Sequence, residues 1–176
     1  GNVVAEAGSD EEIIYADFCT QYARTGMSVF RDDHNPASYL LFLASNNPQF
    51  TQARQTAYYE LLRSEGLGRV PDFMVHTAAE KAFYEVKPDS PSGMSAGVDK
   101  VGVLSAVYPS FQLPYRAGTT FQPRDHVVAQ VGTAIQAKLV VRRAAPGLLL
   151  YKLCLSSVGV LELAGIVILL RYIVRG

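Results

Sequence analysis

Three residues of one short tract have the types and spacing for hydrolytic chemistry. Asp72 lies in Arg69-Val70-Pro71-Asp72-Phe73-Met74-Val75-His76, and Glu85 and Lys87 lie in Lys81-Ala82-Phe83-Tyr84-Glu85-Val86-Lys87, with twelve residues between Asp72 and Glu85. Both runs are rich in β-branched and aromatic residues and flank Thr77-Ala78-Ala79-Glu80, a pattern that predicts a β-hairpin. Strands paired symmetrically about that turn set Asp72 opposite Glu85, and opposed side chains stand about 4.5–5.5 Å apart at Cβ. Glu85 and Lys87, two residues apart, share a face. Phe73, Val75, Tyr84 and Val86 point to the other face and give the pair an apolar side to bury.

Two carboxylates at that separation repel, and one of them gains a proton unless a cation sits between them. Mg²⁺ and Mn²⁺ prefer oxygen ligands from Asp, Glu, water and phosphate. An ion held there lowers the pKa of a bound water and neutralises charge on a phosphodiester. A lysine ammonium beside it orients that water and stabilises the charge developing at phosphorus. The trio therefore predicts metal-assisted phosphodiester hydrolysis, with Asp72 and Glu85 as ligands and Lys87 as the charge-stabilising group. A helix carboxylate would complete the shell; Glu60 is the first choice for this metal-binding and catalytic role, with Glu12 and Glu65 as alternatives.

The elements that must position this trio are legible in outline. Ser9-Asp10-Glu11-Glu12 reads as a capping box opening a helix with Ile14, Phe18 and Tyr22 on one face, stopped by Gly26. After an apolar run, Tyr39 to Ala44, Asn47 and Pro48 predict the start of a second helix. That helix runs to about Ser64 and closes at Gly66, with Phe50, Ala53, Ala57 and Leu61 inward and Glu60 at the edge of that stripe. Beyond the hairpin, Pro88 to Gly97 reads as a loop, Val98 to Val107 as a short helix and Tyr115 to Phe121 as a strand. A helix over Val127 to Ala137, a second hairpin of Leu139–Arg143 with Leu148–Leu155 about Pro146-Gly147, and a closing apolar helix over Val160 to Val174 complete the expectation. The sum is a mixed α/β (α+β) single domain with a central mixed sheet of about four to five strands flanked by helices. Its core would span about 47–155, after an N-terminal helical extension over 1–46 and before the C-terminal helix over 158–176.

At Pro71-Asp72 and Glu85-Val86-Lys87 the sequence resembles the PD-(D/E)XK nuclease superfamily, whose core order is αβββαβ. The resemblance covers about Asn47 to Phe121. Tyr84-Glu85-Val86-Lys87-Pro88 with the Ser/Gly-rich loop, Lys100 and Leu113-Pro114-Tyr115-Arg116-Ala117-Gly118 is similar to nuclease domains of bacterial secretion-system toxins near the VRR-NUC branch. That branch places a Gln on the helix after ExK, where this chain offers Lys100. The resemblance implies a DNase using Mg²⁺ or Mn²⁺. It also implies the toxic domain of a larger effector, secreted or delivered into the cytoplasm of a target bacterium and neutralised in its producer by a cognate immunity protein. The rival expectation is a non-catalytic adaptor that keeps the fold with a degenerate site.

Composition bounds these readings. The 176 residues carry sixteen Lys plus Arg and sixteen Asp plus Glu, and 49% are apolar, which suits one packed core and excludes a histone-like polycation. Charge is nonetheless uneven: Gly1 to Gly66 holds nine acids and four bases, the remainder seven acids and twelve bases. The basic half offers Lys100, Arg116, Lys138, Arg142 and Arg143 as candidate nucleic-acid contacts. Cys19 and Cys154 are expected as buried free thiols. Leu153 to Leu170 is long enough to span a membrane, but Glu162 at its middle and the break at Ser156-Ser157-Val158-Gly159 favour a buried strand and a buried helix, so no membrane insertion is expected. Asp32-Asp33-His34-Asn35 reads as a turn before Pro36, and His76 as an exposed residue at the hairpin end.

Overall fold

The predicted hairpin is the centre of the molecule. The computed structural model describes residues 3–5, 10–22, 28–65, 69–131 and 135–157. Strands β3 (Phe73–His76) and β4 (Lys81–Pro88) pair antiparallel, Phe73 opposite Tyr84 and His76 opposite Lys81, the register expected from symmetry about the turn. Thr77 closes that turn: its hydroxyl accepts from the amides of Ala79 and Glu80 at 3.1 and 2.7 Å. Alternate residues bury to opposite sides, Phe73, Val75, Ala82, Tyr84 and Val86 to one core, Met74 and Phe83 to the other.

Helix α1 (Asp10–Tyr22) covers the first face with the predicted Ile14, Phe18 and Tyr22 stripe, the Phe18 ring 5.5 Å from that of Phe73 and 5.6 Å from that of Tyr84. Helices α2 (Pro36–Asn46), α3 (Gln52–Glu65) and α4 (Pro91–Ser110) cover the second. One fully buried tyrosine from each helix joins them. The Tyr39 hydroxyl lies 3.0 Å from those of Tyr58 and Tyr108, and Tyr108 donates to Met74 Sδ at 3.7 Å, so each buried hydroxyl is partnered.

The mixed sheet runs β1-β6-β7-β8-β4-β3-β2, with β5 also on β4. Its other members are β1 (Val3–Ala5), β2 (Ser28–Arg31), β5 (Arg116–Ala117), β6 (His126–Val131), β7 (Ile135–Ala145) and β8 (Leu148–Ser157). Strand β4 runs parallel to β5 at Ala82–Phe83 and then parallel to β8 at Glu85–Pro88. The handover between neighbours is stitched by Gly118 N donating to Phe83 O, Gly147 N to Gly118 O and Glu85 N to Gly147 O, at 2.8–3.0 Å. Gly147 sits at φ +71° with its α-carbon close to Ala117, where a Cβ would come 2.9 Å from the Ala117 Cβ; only glycine meets both demands.

Several expectations are corrected. Eight strands occur among the described residues, not four to five. Residues 1–46 are more than a helical extension, because β1 and β2 join the sheet. Asn47 ends α2 rather than starting α3: a residue before proline is pushed out of the helical region, and its buried amide donates to Leu43 O and to the Tyr115 hydroxyl. Helix α3 buries Tyr58 and Leu62, not Ala53 and Ala57, because the larger side chains fix its rotation. Residues 91–97 belong to α4, whose Ser90 side chain accepts from Gly93 N and whose Pro91 opens the first turn. Of the helix expected over Val127 to Ala137, Val127–Val131 belongs to β6 and Ile135–Ala137 to β7, paired across strands as Val131 with Ile135; residues 132–134 lie outside the described residues. The strand expected over Tyr115–Phe121 is only Arg116–Ala117.

The second hairpin is as expected, β7 and β8 pairing with Ala145 opposite Leu148. Asp32 to Asn35 forms the expected turn, with Asp32 and Asp33 side chains accepting from His34 N and Asn35 N. Both cysteines are free but half-buried. The helix stops at Gly26 and Gly66 and the closing helix over 160–174 lie outside the described residues. Among the described residues no helix is long and apolar enough to cross a membrane, and Leu153–Ser157 of the apolar run is strand.

Candidate functional site

The site forms where β4 has passed the end of β3 and changed neighbours from β5 to β8. Glu85 and Lys87 project from β4 on the side of Phe83, beneath α4. Asp72 immediately precedes β3 and is fixed twice. Its carbonyl accepts from Asp32 N at 2.9 Å, and its Oδ2 accepts from Val86 N at 2.6 Å. The side chain thereby replaces the ladder bond that β3 no longer supplies to β4.

Glu85 is completely buried. Its Oε1 accepts a hydrogen bond from Lys87 Nζ. Lys87 Nζ also stands 3.8 Å from Asp72 Oδ2. From α4, Lys100 Nζ reaches 2.9 Å from Glu85 Oε2 and 3.7 Å from Asp72 Oδ1. The Lys100 contact is an ion pair without hydrogen-bond alignment, so Glu85 Oε2 remains a buried oxygen lacking an aligned donor. Burial and the neighbouring Asp72 charge push the Glu85 carboxyl up to about 7, against the pull of Lys100 and Lys87. Burial pulls the Lys87 ammonium down, but Asp72 and Glu85 outweigh it and hold its pKa above the ordinary lysine value. Lys87 is thus held as a positive charge donating to Glu85.

Lys100 owes its reach to the packing of α4. Its helical stripe, Gly93, Gly97, Lys100, Leu104 and Val107, faces the sheet at i, i+4, i+7, i+11 and i+14 spacing. A Cβ on Gly97 would meet Leu148 Cδ1 at 2.3 Å. Gly97→Val is therefore expected to push α4 off β8 and destabilise the fold by about 1–3 kcal/mol through overpacking, read as a lowered denaturant midpoint.

A divalent cation fits the donor set in one respect: a single ammonium already lies within 3.7 Å of both carboxylates, so one cation can touch both. Mg²⁺ commonly binds through one or two carboxylates while keeping waters and taking substrate oxygens. Among the described residues no group of three His, Cys, Asp or Glu converges as a complete metal cage.

Glu60 is not brought to the cluster. It is 60% exposed and pairs with Arg63 at 3.5 Å. It lines, with Leu61, Arg69, Val107 and Phe111, a separate open cleft of about 670 Å³ between α3 and α4. Residues two apart on a helix lie about 200° apart, so burial of Tyr58 turns Glu60 outward. Glu12 is exposed and lies 3.8 Å from Arg31; the Glu65 side chain lies outside the described residues. Glu11, exposed in the first turn of α1, adds only the smallest of the upward pulls on the Lys87 pKa. Nothing in the spacing links residue 11 to the hairpin; only the packing of α1 does.

The candidate nucleic-acid residues separate. Arg142 forms a two-pronged pair with Asp89, Nη2 to Oδ1 at 2.7 Å and Nε to Oδ2 at 3.1 Å. Arg143 donates to the carbonyls of Thr119 and Phe121 and so holds the 119–121 segment. Arg116 is exposed on β5 and Lys138 half-buried on β7. His76 is partly buried, its Nδ1 2.9 Å from the Tyr115 hydroxyl, and burial lowers its pKa, which favours the neutral ring. No protein-family model, curated protein or solved structure matches this chain.

Proposed function

We propose that the chain is a divalent-metal-dependent nuclease that hydrolyses phosphodiester bonds, with DNA as substrate. The observation that carries this reading is the convergence of Asp72, Glu85 and Lys87, two carboxylates and an ammonium within 4 Å contacts at one end of the central strand. Bound there, Mg²⁺ or Mn²⁺ would supply an acidified water and neutralise the scissile phosphate. Asp72 and Glu85 are the side chains to hold it, and the Val86 amide keeps Asp72 aimed. Lys87 donates to the non-bridging oxygens as their charge grows, in a site where burial strengthens each contact.

The order α1, β2, β3, β4, α4, β5, with β4 antiparallel to β3 and parallel to β5, supports a restriction-endonuclease-like core with α2 and α3 inserted after β2. DNA over RNA, the role as a delivered effector domain and a cognate immunity partner follow from the PD-(D/E)XK toxin resemblance. One observation favours a second reading, a non-catalytic interaction domain: Lys87 and Lys100 already neutralise both carboxylates. Incubation of purified protein with supercoiled plasmid and with structured RNA separates the two. Mn²⁺-dependent nicking of the plasmid, abolished by EDTA, is expected; plasmid and RNA intact under Mg²⁺, Mn²⁺ and Co²⁺ would favour the interaction domain.

A further inference from the structure

Lys100 is the member of the cluster that hydrolysis does not explain. It is the charged residue of a helical stripe otherwise made of glycine and apolar side chains, and its side chain is only 17% exposed. Its ammonium reaches one oxygen of each carboxylate, Asp72 Oδ1 and Glu85 Oε2, whereas Lys87 takes the other oxygen of each. Lys100 therefore occupies a position from which one cation reaches both Asp72 and Glu85.

We propose that Lys100 is a tethered counter-cation: it holds the space between Asp72 and Glu85 in the metal-free protein, must be displaced for a divalent ion to enter, and so sets the metal concentration at which the site loads. The proposal rests on the reading of Asp72 and Glu85 as metal ligands. Its chemistry is simple competition. Two carboxylates cannot hold two ammoniums and a dication at contact distance without strong repulsion, and Lys100, which unlike Lys87 makes no aligned hydrogen bond to Glu85, is the one to yield. A lysine head is a compact charge on a four-carbon stem, able to swing while its helix stays put. Helix α4 does stay put, because Gly97 is packed against Leu148 and Gly93 against the Pro88 carbonyl. The contact to Glu85 Oε2 lacks hydrogen-bond alignment, which suits a cation that can be exchanged. Displaced, the ammonium remains beside the site, within reach of a bound phosphate.

The test is Mn²⁺ binding to the whole chain by titration calorimetry, without nucleic acid, for wild type, Lys100→Met and Lys100→Gln. Each variant is expected to bind Mn²⁺ about tenfold or more tightly than wild type, because the competing charge is gone. Adding Asp72→Asn to either is expected to abolish the binding. Without metal, both variants are expected to melt below wild type, since two carboxylates lose a counter-ion, and Mn²⁺ is expected to restore them. A lysine that only supports the fold would lower the melting temperature and leave Mn²⁺ affinity equal or weaker, which would overturn the proposal while the nuclease reading survives. No Mn²⁺ binding by any of the three proteins would overturn both. If Lys100→Met does not fold, Lys100→Gln, which keeps a polar donor on the same helix without the charge, decides the matter by the same criterion.

Discussion

Lys87→Ala is expected to slow Mn²⁺-dependent DNA cleavage by about 10²–10³-fold, the scale of losing one well-placed group that stabilises transition-state charge. Metal binding should survive, because Asp72 stays fixed by the Val86 amide and the removed group is a cation. The fold should survive as well: Lys100 continues to neutralise Glu85 and Asp72. Single-turnover cleavage at saturating Mn²⁺, with circular dichroism as a folding control, checks this. A second consequence is specific to the geometry. Lys87 is one of the groups holding the Glu85 carboxyl down, so the residual cleavage of Lys87→Ala should need higher pH than that of wild type. Unchanged cleavage would remove Lys87 from the mechanism and leave the interaction-domain reading.

Glu85 supplies the other large effect. Its carboxyl in the folded protein titrates near 7, raised by burial and by Asp72 from the ordinary carboxyl value. The folded state therefore keeps a proton that the unfolded chain releases at lower pH. Stability from this group is fully present below the ordinary carboxyl range and is lost as pH rises through about 7. Glu85→Gln mimics the protonated form and removes the dependence. Without metal its melting temperature should be nearly flat between about pH 5 and 8, and above pH 7 it should exceed that of wild type, the gain in unfolding free energy being a few kcal/mol at most. The same substitution should abolish cleavage at every pH, because a neutral amide cannot replace a carboxylate ligand. Wild-type cleavage should rise through about pH 7 as the ligand ionises, and at a lower pH as the Mn²⁺ concentration is raised. A Glu85→Gln protein that melts below wild type at pH 8 would contradict the account of the buried carboxyl.

Much of the site was legible because its determinants are local. The two runs about Thr77–Glu80 carry a period of two and a short turn, and those alone set Phe73 against Tyr84 and bring Asp72 to β4. The hairpin at Pro146-Gly147 was legible for the same reason. Glu60 was not. Its rotation depends on which side of α3 is buried, and Tyr58, hydrogen-bonded to Tyr39 across the helix interface, decides that from outside the segment. Lys100 suggests a phosphate contact because a lone lysine on a helix is expected to be exposed. The signal against this was present: Gly93, Gly97, Leu104 and Val107 mark a packed stripe, and Lys100 falls on it. Val127 to Ala137 suggests a helix because a short apolar run has no decisive period; pairing with the distant β8, through β7, makes strands of Val127–Val131 and Ile135–Ala137. Arg142 and Arg143 suggest backbone-tracking charges, yet Asp89 and two carbonyls, all distant in sequence, take them.

The central claim is that Asp72 and Glu85 form a metal site that cuts DNA. The most direct measurement is conversion of supercoiled plasmid to nicked form by wild type and by Asp72→Ala, purified identically and assayed side by side in Mn²⁺ and in EDTA. The account predicts nicking by wild type in Mn²⁺ alone, with Asp72→Ala folded and inactive. Equal nicking by both proteins, or none by wild type under Mn²⁺, would contradict it.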